Sequence, residues 1–332
     1  MRPSTLGEFL QFSIKNRFPV LIKGKPGIGK SDIVDQATSE ANAELIISHP
    51  VVDEPIDYKG LPFKLDDSTA DFLPFGNLKR LINATEDTVF FLDDLGQASV
   101  DVQKACMQLI LARRINGYVI SDKVTFLAAT NRKEDKAGVT GILEPVKSRF
   151  ISIVELDVNA EDWVNWALTH DQPTELISFI KFRPQLLDDF KPSKDIVNSP
   201  FPRTVTHLGK IQAAGLKPHL EFEAFAGAAG EAFAVEYCAF LQVIRELPSV
   251  DQIVLNPHTT PVPEKADSQY ALAFALARRA NDNNFQAIHI YLKRMEVEFS
   301  VSCVKAATDR DPSLCNTRPF LQWSSEKTGM FI

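Results

Sequence analysis

Apolar residues recur along this chain in two rhythms, and the change between them falls near residue 157. Over residues 4–17, Leu6, Phe9, Leu10, Phe12 and Ile14 lie at helical spacing and predict an amphipathic helix. Short apolar runs then follow at 18–22, 44–49, 88–92, 124–129 and 151–156, which predict buried strands. Helices are predicted between them at 31 to about 43, at 77–84 and at 100–114. Strands alternating with helices predict a mostly parallel sheet covered on both faces. Residues 50–75 hold several prolines, Gly60-Leu61-Pro62 and the acidic turn Asp66-Asp67-Ser68, and predict an exposed loop with a β-hairpin. Asn116-Gly117 marks a second turn. Beyond 157 the pattern is helical, at 161–169, 175–182, 204–214, the alanine-rich 222–246, and 268–280, and no strand run of comparable strength recurs. The expected organisation is an α/β domain over 1–157 followed by an all-α region over 158–332.

The first loop of this pattern carries chemistry. Residues 24–31 read Gly-Lys-Pro-Gly-Ile-Gly-Lys-Ser, a complete G-x-x-x-x-G-K-[ST] phosphate-binding loop between a predicted strand and a predicted helix. Gly24, Gly27 and Gly29 allow the backbone to turn its N–H groups toward phosphates, with Pro26 and Ile28 between them. The following helix, opened by Ser31 and Asp32, adds the positive end of its dipole. Lys30 is expected to reach the β- and γ-phosphates of a nucleoside triphosphate, and the Ser31 hydroxyl to ligate Mg²⁺.

Composition narrows the class. Of 332 residues, 45% are hydrophobic and 24% charged, and no window approaches the run of about 18 apolar residues that a membrane span needs. The N-terminal Met-Arg-Pro-Ser-Thr-Leu-Gly-Glu lacks the apolar core of a signal peptide. Four dispersed cysteines without a C-x-x-C pair fit a reduced, cytoplasmic setting, and six dispersed histidines offer no zinc-ligand spacing. A net charge of −7 argues against a broad nucleic-acid footprint. The local pairs Lys79-Arg80 and Arg113-Arg114 read as solvated helix ends.

The run Val89-Phe90-Phe91-Leu92 ends in Asp93-Asp94, which puts two carboxylates at the ligand-binding edge of a parallel sheet. Asp93 is placed to hold Mg²⁺ and Asp94 to polarise an attacking water. The ordinary alternative is that the two acids cap the next helix. Leu127-Ala128-Ala129-Thr130-Asn131 repeats the pattern, and Asn131 there can orient water or touch the γ-phosphate, or else cap a turn.

The order of these elements resembles that of an AAA+ ATPase, and the MoxR-like branch in particular. The phosphate loop, Asp93-Asp94 and Asn131 are followed by Val146-Lys147-Ser148-Arg149-Phe150 and by Phe201-Pro202-Arg203-Thr204. Supporting stretches are residues 55–62 and 109–117, Ala128-Ala129-Thr130-Asn131-Arg132, Leu143-Glu144-Pro145 and Arg183-Pro184. The resemblance implies a P-loop sheet sandwiched by helices, then a helical lid and C-terminal helical region. It also implies ATP hydrolysis with Mg²⁺ in a self-assembled hexameric ring that remodels a protein client. By the same resemblance Asn131 is the first sensor, Arg149 a finger reaching a neighbouring subunit's nucleotide, and Arg203 the second sensor on the lid. A protein with a von Willebrand factor A domain is an implied partner. Tyr58, Lys59, Phe63, Lys64 and Phe72 lie in a stretch where the family carries an insertion that can face a pore or client; simple packing on the sheet is the alternative.

One residue departs from the family pattern. Asp94 stands where the family carries glutamate, and its carboxylate falls about 1.5 Å short, one C–C bond. An offset of that size can slow turnover without touching nucleotide binding. This keeps open the reading of an ATP-binding scaffold with little turnover. A DNA-transaction member such as a helicase or clamp loader is a further alternative, against which the acidity of the chain and the lack of an appended helix-turn-helix or zinc module count. Trp163 and Trp166, three apart, read as packing on one helix face.

Overall fold

The structure, a computed structural model, describes residues 1–332 except 66–67, 136–140, 191–194 and 328–332. The acidic turn expected at Asp66-Asp67 therefore lies outside the described residues. Two compact units result, Met1–Asp162 and Trp163–Ile332.

In the first unit the elements alternate as the apolar rhythm predicts. They are α1 (Pro3–Asn16), β1 (Val20–Lys23), α2 (Lys30–Glu40), β2 (Glu44–Ser48), α3 (Pro55–Lys59), β3 (Leu61–Lys64), β4 (Ala70–Leu73), α4 (Gly76–Ile82) and β5 (Thr88–Leu92). After them come α5 (Val100–Ala112), β6 (Arg114–Ile115), β7 (Tyr118–Val119), β8 (Val124–Thr130), α6 (Glu144–Lys147) and β9 (Ser152–Glu155). Five strands form one parallel sheet in the order β2-β5-β8-β1-β9. Successive side chains of a strand point to opposite faces, and here both faces are buried. Val20, Ile22, Val89, Phe91, Leu127 and Ala129 pack with Leu6, Leu10 and Val34 of α1 and α2. Their neighbours Leu21, Phe90, Leu92, Phe126 and Ala128 pack with Val102, Cys106 and Leu109 of α5. Every residue of β5 and β8 is buried, which explains why those runs are apolar without alternation.

Three local expectations change. The loop predicted over 50–75 does hold a hairpin, with Leu61 opposite Leu73, but a short helix, α3, precedes it. Pro55 opens that helix, where proline is tolerated because the first-turn N–H has no intrahelical partner. Within the helical pattern at 4–17, Phe12 points outward. Arg113 is no solvated helix end: it adopts a left-handed conformation with φ 52° and donates to the carbonyls of Val124, at 3.0 Å, and Ser121. Its guanidinium lies 5.6 Å from the Phe126 ring centroid, so the end of α5 is stapled to the start of β8. Asn116 and Gly117, with φ 47° and 86°, make the two-residue turn joining β6 to β7.

The second unit is helical. Its helices are α7 (Ala160–Thr169, starting at the boundary), α8 (Thr174–Phe182), α9 (Pro202–Ala213), α10 (Glu221–Ala229), α11 (Glu231–Glu246), α12 (Val250–Leu255), α13 (Ala266–Arg279), α14 (Phe285–Leu292), α15 (Val297–Arg310) and α16 (Arg318–Lys327). Among the described residues no strand follows β9. The single helix expected over 222–246 is split at Gly230, where φ is 91° and a Cβ would meet the Asn198 carbonyl oxygen at 2.8 Å. Phe179 anchors the core, with ring centroids of Phe233, Tyr237 and Phe240 at 5.4, 5.0 and 5.3 Å. Trp163 is buried, while Trp166 stacks on His170. No helix among the described residues is long and apolar enough to cross a membrane.

His289 is buried in α14, and its Nε2 has no hydrogen-bond partner among the described residues. Burial, reinforced by Lys293 and opposed by Glu326, holds its pKa below the ordinary value of 6.5. The unfolded chain therefore takes up a proton near pH 6.5 that the folded unit refuses, and stability falls as pH drops through that value. All three tryptophans lie in this unit, so their fluorescence reports its unfolding. The urea midpoint is expected to fall between pH 7.5 and 5.5, and to fall less in His289→Leu; equal slopes in the two proteins would contradict this account.

Candidate functional site

The loop of residues 24–29 leaves β1 at the C-terminal edge of the sheet and delivers Lys30 and Ser31 to the first turn of α2. Two glycines make this path practicable for different reasons. Gly29 caps α2 in a left-handed conformation, φ 92°, which a side chain would strain. Gly24 is needed for space, since a Cβ there would meet Ile28 Cδ1 at 2.7 Å and the Leu156 carbonyl oxygen at 3.0 Å. Ile28 is buried with Val20, Ile22 and Leu127, which pins the loop to the core. Pro26 is half-buried and Gly27 buried. Asp32 is exposed in the first turn of α2, where the helix dipole favours its charge.

Lys30 is only 7% exposed. Its Nζ donates to the carbonyls of Gly24 and Lys25 at 3.1 and 2.8 Å and to Asn131 Oδ1 at 2.7 Å. The Asn131 amide donates in turn to Asp94 Oδ1 at 2.9 Å. Ser31 Oγ donates to Asp93 Oδ2 at 2.7 Å. Strand order makes these meetings possible: β8 lies between β1 and β5, so Asn131 stands between the lysine of one strand end and the acids of the other.

The acids are held from the main chain. Asp93 N–H donates to the Ser48 carbonyl at 3.0 Å, and Asp94 N–H donates to Asp93 Oδ1 at 3.0 Å. Asp94 has φ 56°, a left-handed conformation that aspartate tolerates better than most residues. Neither acid caps α5, whose N-cap is Ser99, accepting from Val102 N–H at 3.3 Å. The Asn131 side chain bridges Lys30 and Asp94 rather than closing a turn. A hydroxyl and a carboxylate oxygen within 2.7 Å of each other suit Mg²⁺, which takes few protein oxygens and completes its shell with water and phosphate.

Arg132 is a residue whose weight the motif did not convey. It grips Asp135 through two bonds of 2.8 and 2.7 Å and reaches Glu155 of β9 at 3.4 Å. The bond to Asp135 is the main cause that raises its pKa. This brace fixes the turn that leaves Asn131, and the Arg-x-x-Asp spacing is its trace in the sequence.

Arg149 follows α6, half-buried, with its guanidinium donating to the Met107 carbonyl at 3.1 Å and to the Pro145 carbonyl. Arg203 is exposed in the first turn of α9 in the second unit. Tyr58 is withdrawn from any pore or client surface: it is 2% exposed and bonded to Ser48 and Asp53. Phe63 is exposed on β3 and Phe72 half-buried on β4.

No protein-family model matches the chain, and no curated protein matches it. Among solved structures it is similar to a RuvB point mutant from Thermotoga maritima, at 18% identity and a TM-score of 0.44, covering 76% of this chain and 74% of the other. The Thermotoga maritima RuvB Holliday junction branch migration motor aligns at 16% identity and a TM-score of 0.40 over the same shares, 76% and 74%. A further Thermotoga maritima RuvB mutant covers 97% of this chain and 86% of its own at 13% identity and a TM-score of 0.38. At such identities and TM-scores these likenesses carry no functional weight.

The Gly24 contacts lead to a direct test. Gly24→Ala is expected to destabilise the first unit by about 1–3 kcal/mol, the usual cost of forcing atoms into a packed site. The urea midpoint of far-ultraviolet circular dichroism checks it, and an unchanged midpoint would mean that the loop relaxes freely.

Proposed function

We propose that this chain is an AAA+ ATPase of the MoxR-like branch, working in a self-assembled ring to remodel a protein client in the cytoplasm. One observation carries the proposal: a buried lysine at a phosphate loop is joined through Asn131 to Asp94, beside the Ser31–Asp93 pair. On this reading residues 1–157 are the nucleotide-binding domain and 158–332 the helical lid and C-terminal region.

Lys30 binds the β- and γ-phosphates of ATP, and exchanging loop carbonyls for phosphate oxygens gives it charge-assisted partners. The loop amides from Gly27 to Asp32 and the dipole of α2 hold the remaining phosphate charge. Mg²⁺, held by Ser31 and Asp93, supplies charge neutralisation at the phosphate oxygens. Asp94 orients and polarises the attacking water, and Asn131 positions it from the neighbouring strand. Arg149 completes the site of an adjacent subunit, and Arg203 acts from the lid of its own. The client-side partner is proposed to be a von Willebrand factor A domain protein. A second reading is supported by the Asp94 geometry: a short acid tied to Asn131 at 2.9 Å suits a nucleotide-gated scaffold with slow turnover. Steady-state phosphate release separates the two.

Lys30→Ala is expected to weaken ATP binding about 10- to 100-fold, since it removes charged hydrogen bonds worth about 1.5–3 kcal/mol. Equilibrium titration with a fluorescent ATP analogue measures this, and undiminished affinity would overturn the assignment of the loop. Arg149→Ala should leave binding nearly intact and lower turnover by about 10³ or more, the scale of an arginine supplied across an interface. Mixed with Asp93→Ala subunits, which keep Arg149, it should regain part of its activity. If no ratio of the two restores any, the shared site is wrong.

A further inference from the structure

Ser48 ends β2, and the chain beyond it folds back through α3 and, after the hairpin, α4. These pieces line a partly open cavity of about 210 Å³ bordered by Ser48, Asp53, Asp57, Tyr58, Phe75 and Phe90. Phe90 is only 1% exposed, so Phe75 is the phenylalanine that can meet a ligand there. Ser48 and Tyr58 are 4% and 2% exposed, so they belong to the floor of the cavity rather than to its rim. Both hydroxyls approach Asp53 Oδ2, at 2.5 and 2.6 Å, and lie 2.7 Å from each other. Burial above all pushes the Tyr58 pKa up, which keeps the phenol protonated as a donor to Asp53.

A carboxylate oxygen gripped by two hydroxyls is fixed in place, and the other oxygen of Asp53 has no donor among the described residues. Asp57 uses one oxygen to accept the Glu54 N–H at 2.8 Å, and its other oxygen is likewise without a donor among the described residues. Neither acid has a cationic partner among the described residues. Two anchored acids at a space bordered by the exposed Phe75 present the chemistry of cation recognition, by charge-assisted bonds and by cation–π contact. Among the described residues no group of three His, Cys, Asp or Glu side chains could hold a metal ion, so the pair of acids suits an organic cation better than a hard metal ion, which needs six or more oxygen ligands. The volume also falls below the roughly 300–1,000 Å³ of a site for a whole drug-sized ligand, so a single head group fits best.

We infer that this cavity is a binding site for a guanidinium or primary ammonium group, held by Asp53 and Asp57 beside Phe75. The group belongs to an Arg or Lys side chain of a polypeptide or to a free amine. The first source is favoured by β3 and β4, which leave and return at α3 and α4 and present exposed Leu61, Phe63 and Leu73 to flanking apolar residues. The inference is independent of the nucleotide site.

Isothermal titration of the full chain, without nucleotide, tests it with three probes. These are the capped pentapeptide Gly-Gly-Arg-Gly-Gly, the same peptide with neutral citrulline replacing arginine, and agmatine. The arginine peptide is expected to bind and the citrulline peptide not. Asp53→Asn keeps an acceptor for both hydroxyls and should lower affinity at least about tenfold, the worth of a charge-assisted bond. Asp57→Asn keeps the α3 cap and gives a second reading should Asp53→Asn fold poorly, circular dichroism being the check. Tighter binding of the peptide than of agmatine assigns the group to a polypeptide, and equal binding assigns it to a free amine. The inference is overturned by equal affinity for citrulline, by absence of saturable binding of both cations, or by full affinity in both variants.

Discussion

An ammonium group taken out of water must be surrounded by acceptors, and the proposed nucleotide site is organised around that requirement at Lys30. Two carbonyls of the lysine's own loop meet part of the demand, and Asn131 meets the rest from another strand. Asn131 can do so only because β8 is inserted between β1 and β5, and it spends its amide hydrogens on Asp94 at the end of β5. The buried lysine thus ties three strand ends together. The Arg132–Asp135 brace belongs to the same economy: a bridging asparagine is useful only if the turn behind it cannot drift, and a bidentate ion pair with a buried acid removes that freedom.

The sheet was legible because burial on both faces leaves a strand no reason to carry polar residues. The unbroken apolar runs at β5 and β8 record this directly, and each was placed to within a residue of its observed bounds. The glycine-rich loop between β1 and α2 and the acids at the end of β5 were legible because the motif fixes their place between strand and helix. Other features were not, for physical reasons. α3 is a five-residue helix begun by proline, too short to display a period. The break at Gly230 is imposed by the approach of the Asn198 carbonyl, a tertiary contact invisible in an alanine-rich run. Arg113 reads as a charged helix end until the carbonyls of Ser121 and Val124 are in place around it. Helices α12, α14, α15 and α16 went unnamed; α14, for instance, has five of eight residues buried, so its stripe is too broad to show a polar face. In the candidate site, the roles proposed for Lys30, Ser31 and Asp93 rest on motif alone, whereas the position of Asn131 between lysine and acid depends on strand order, which no local pattern encodes.

The contacts of Arg149 are compatible with the role proposed for it. In the single chain its guanidinium is satisfied by the carbonyls of Met107 and Pro145, both neutral acceptors. Bonds from arginine to phosphate oxygens are charge-assisted and roughly twice as strong. Exchanging one set for the other needs no refolding, because the residue is half-buried beyond the end of a four-residue helix. The carbonyl tether therefore does not oppose the role proposed for Arg149. It keeps the group ordered near the surface until a stronger acceptor is brought to it, which lowers the side-chain entropy lost on engagement. A lysine could not replace it on these terms, since a point charge lacks the planar fork that matches phosphate oxygens.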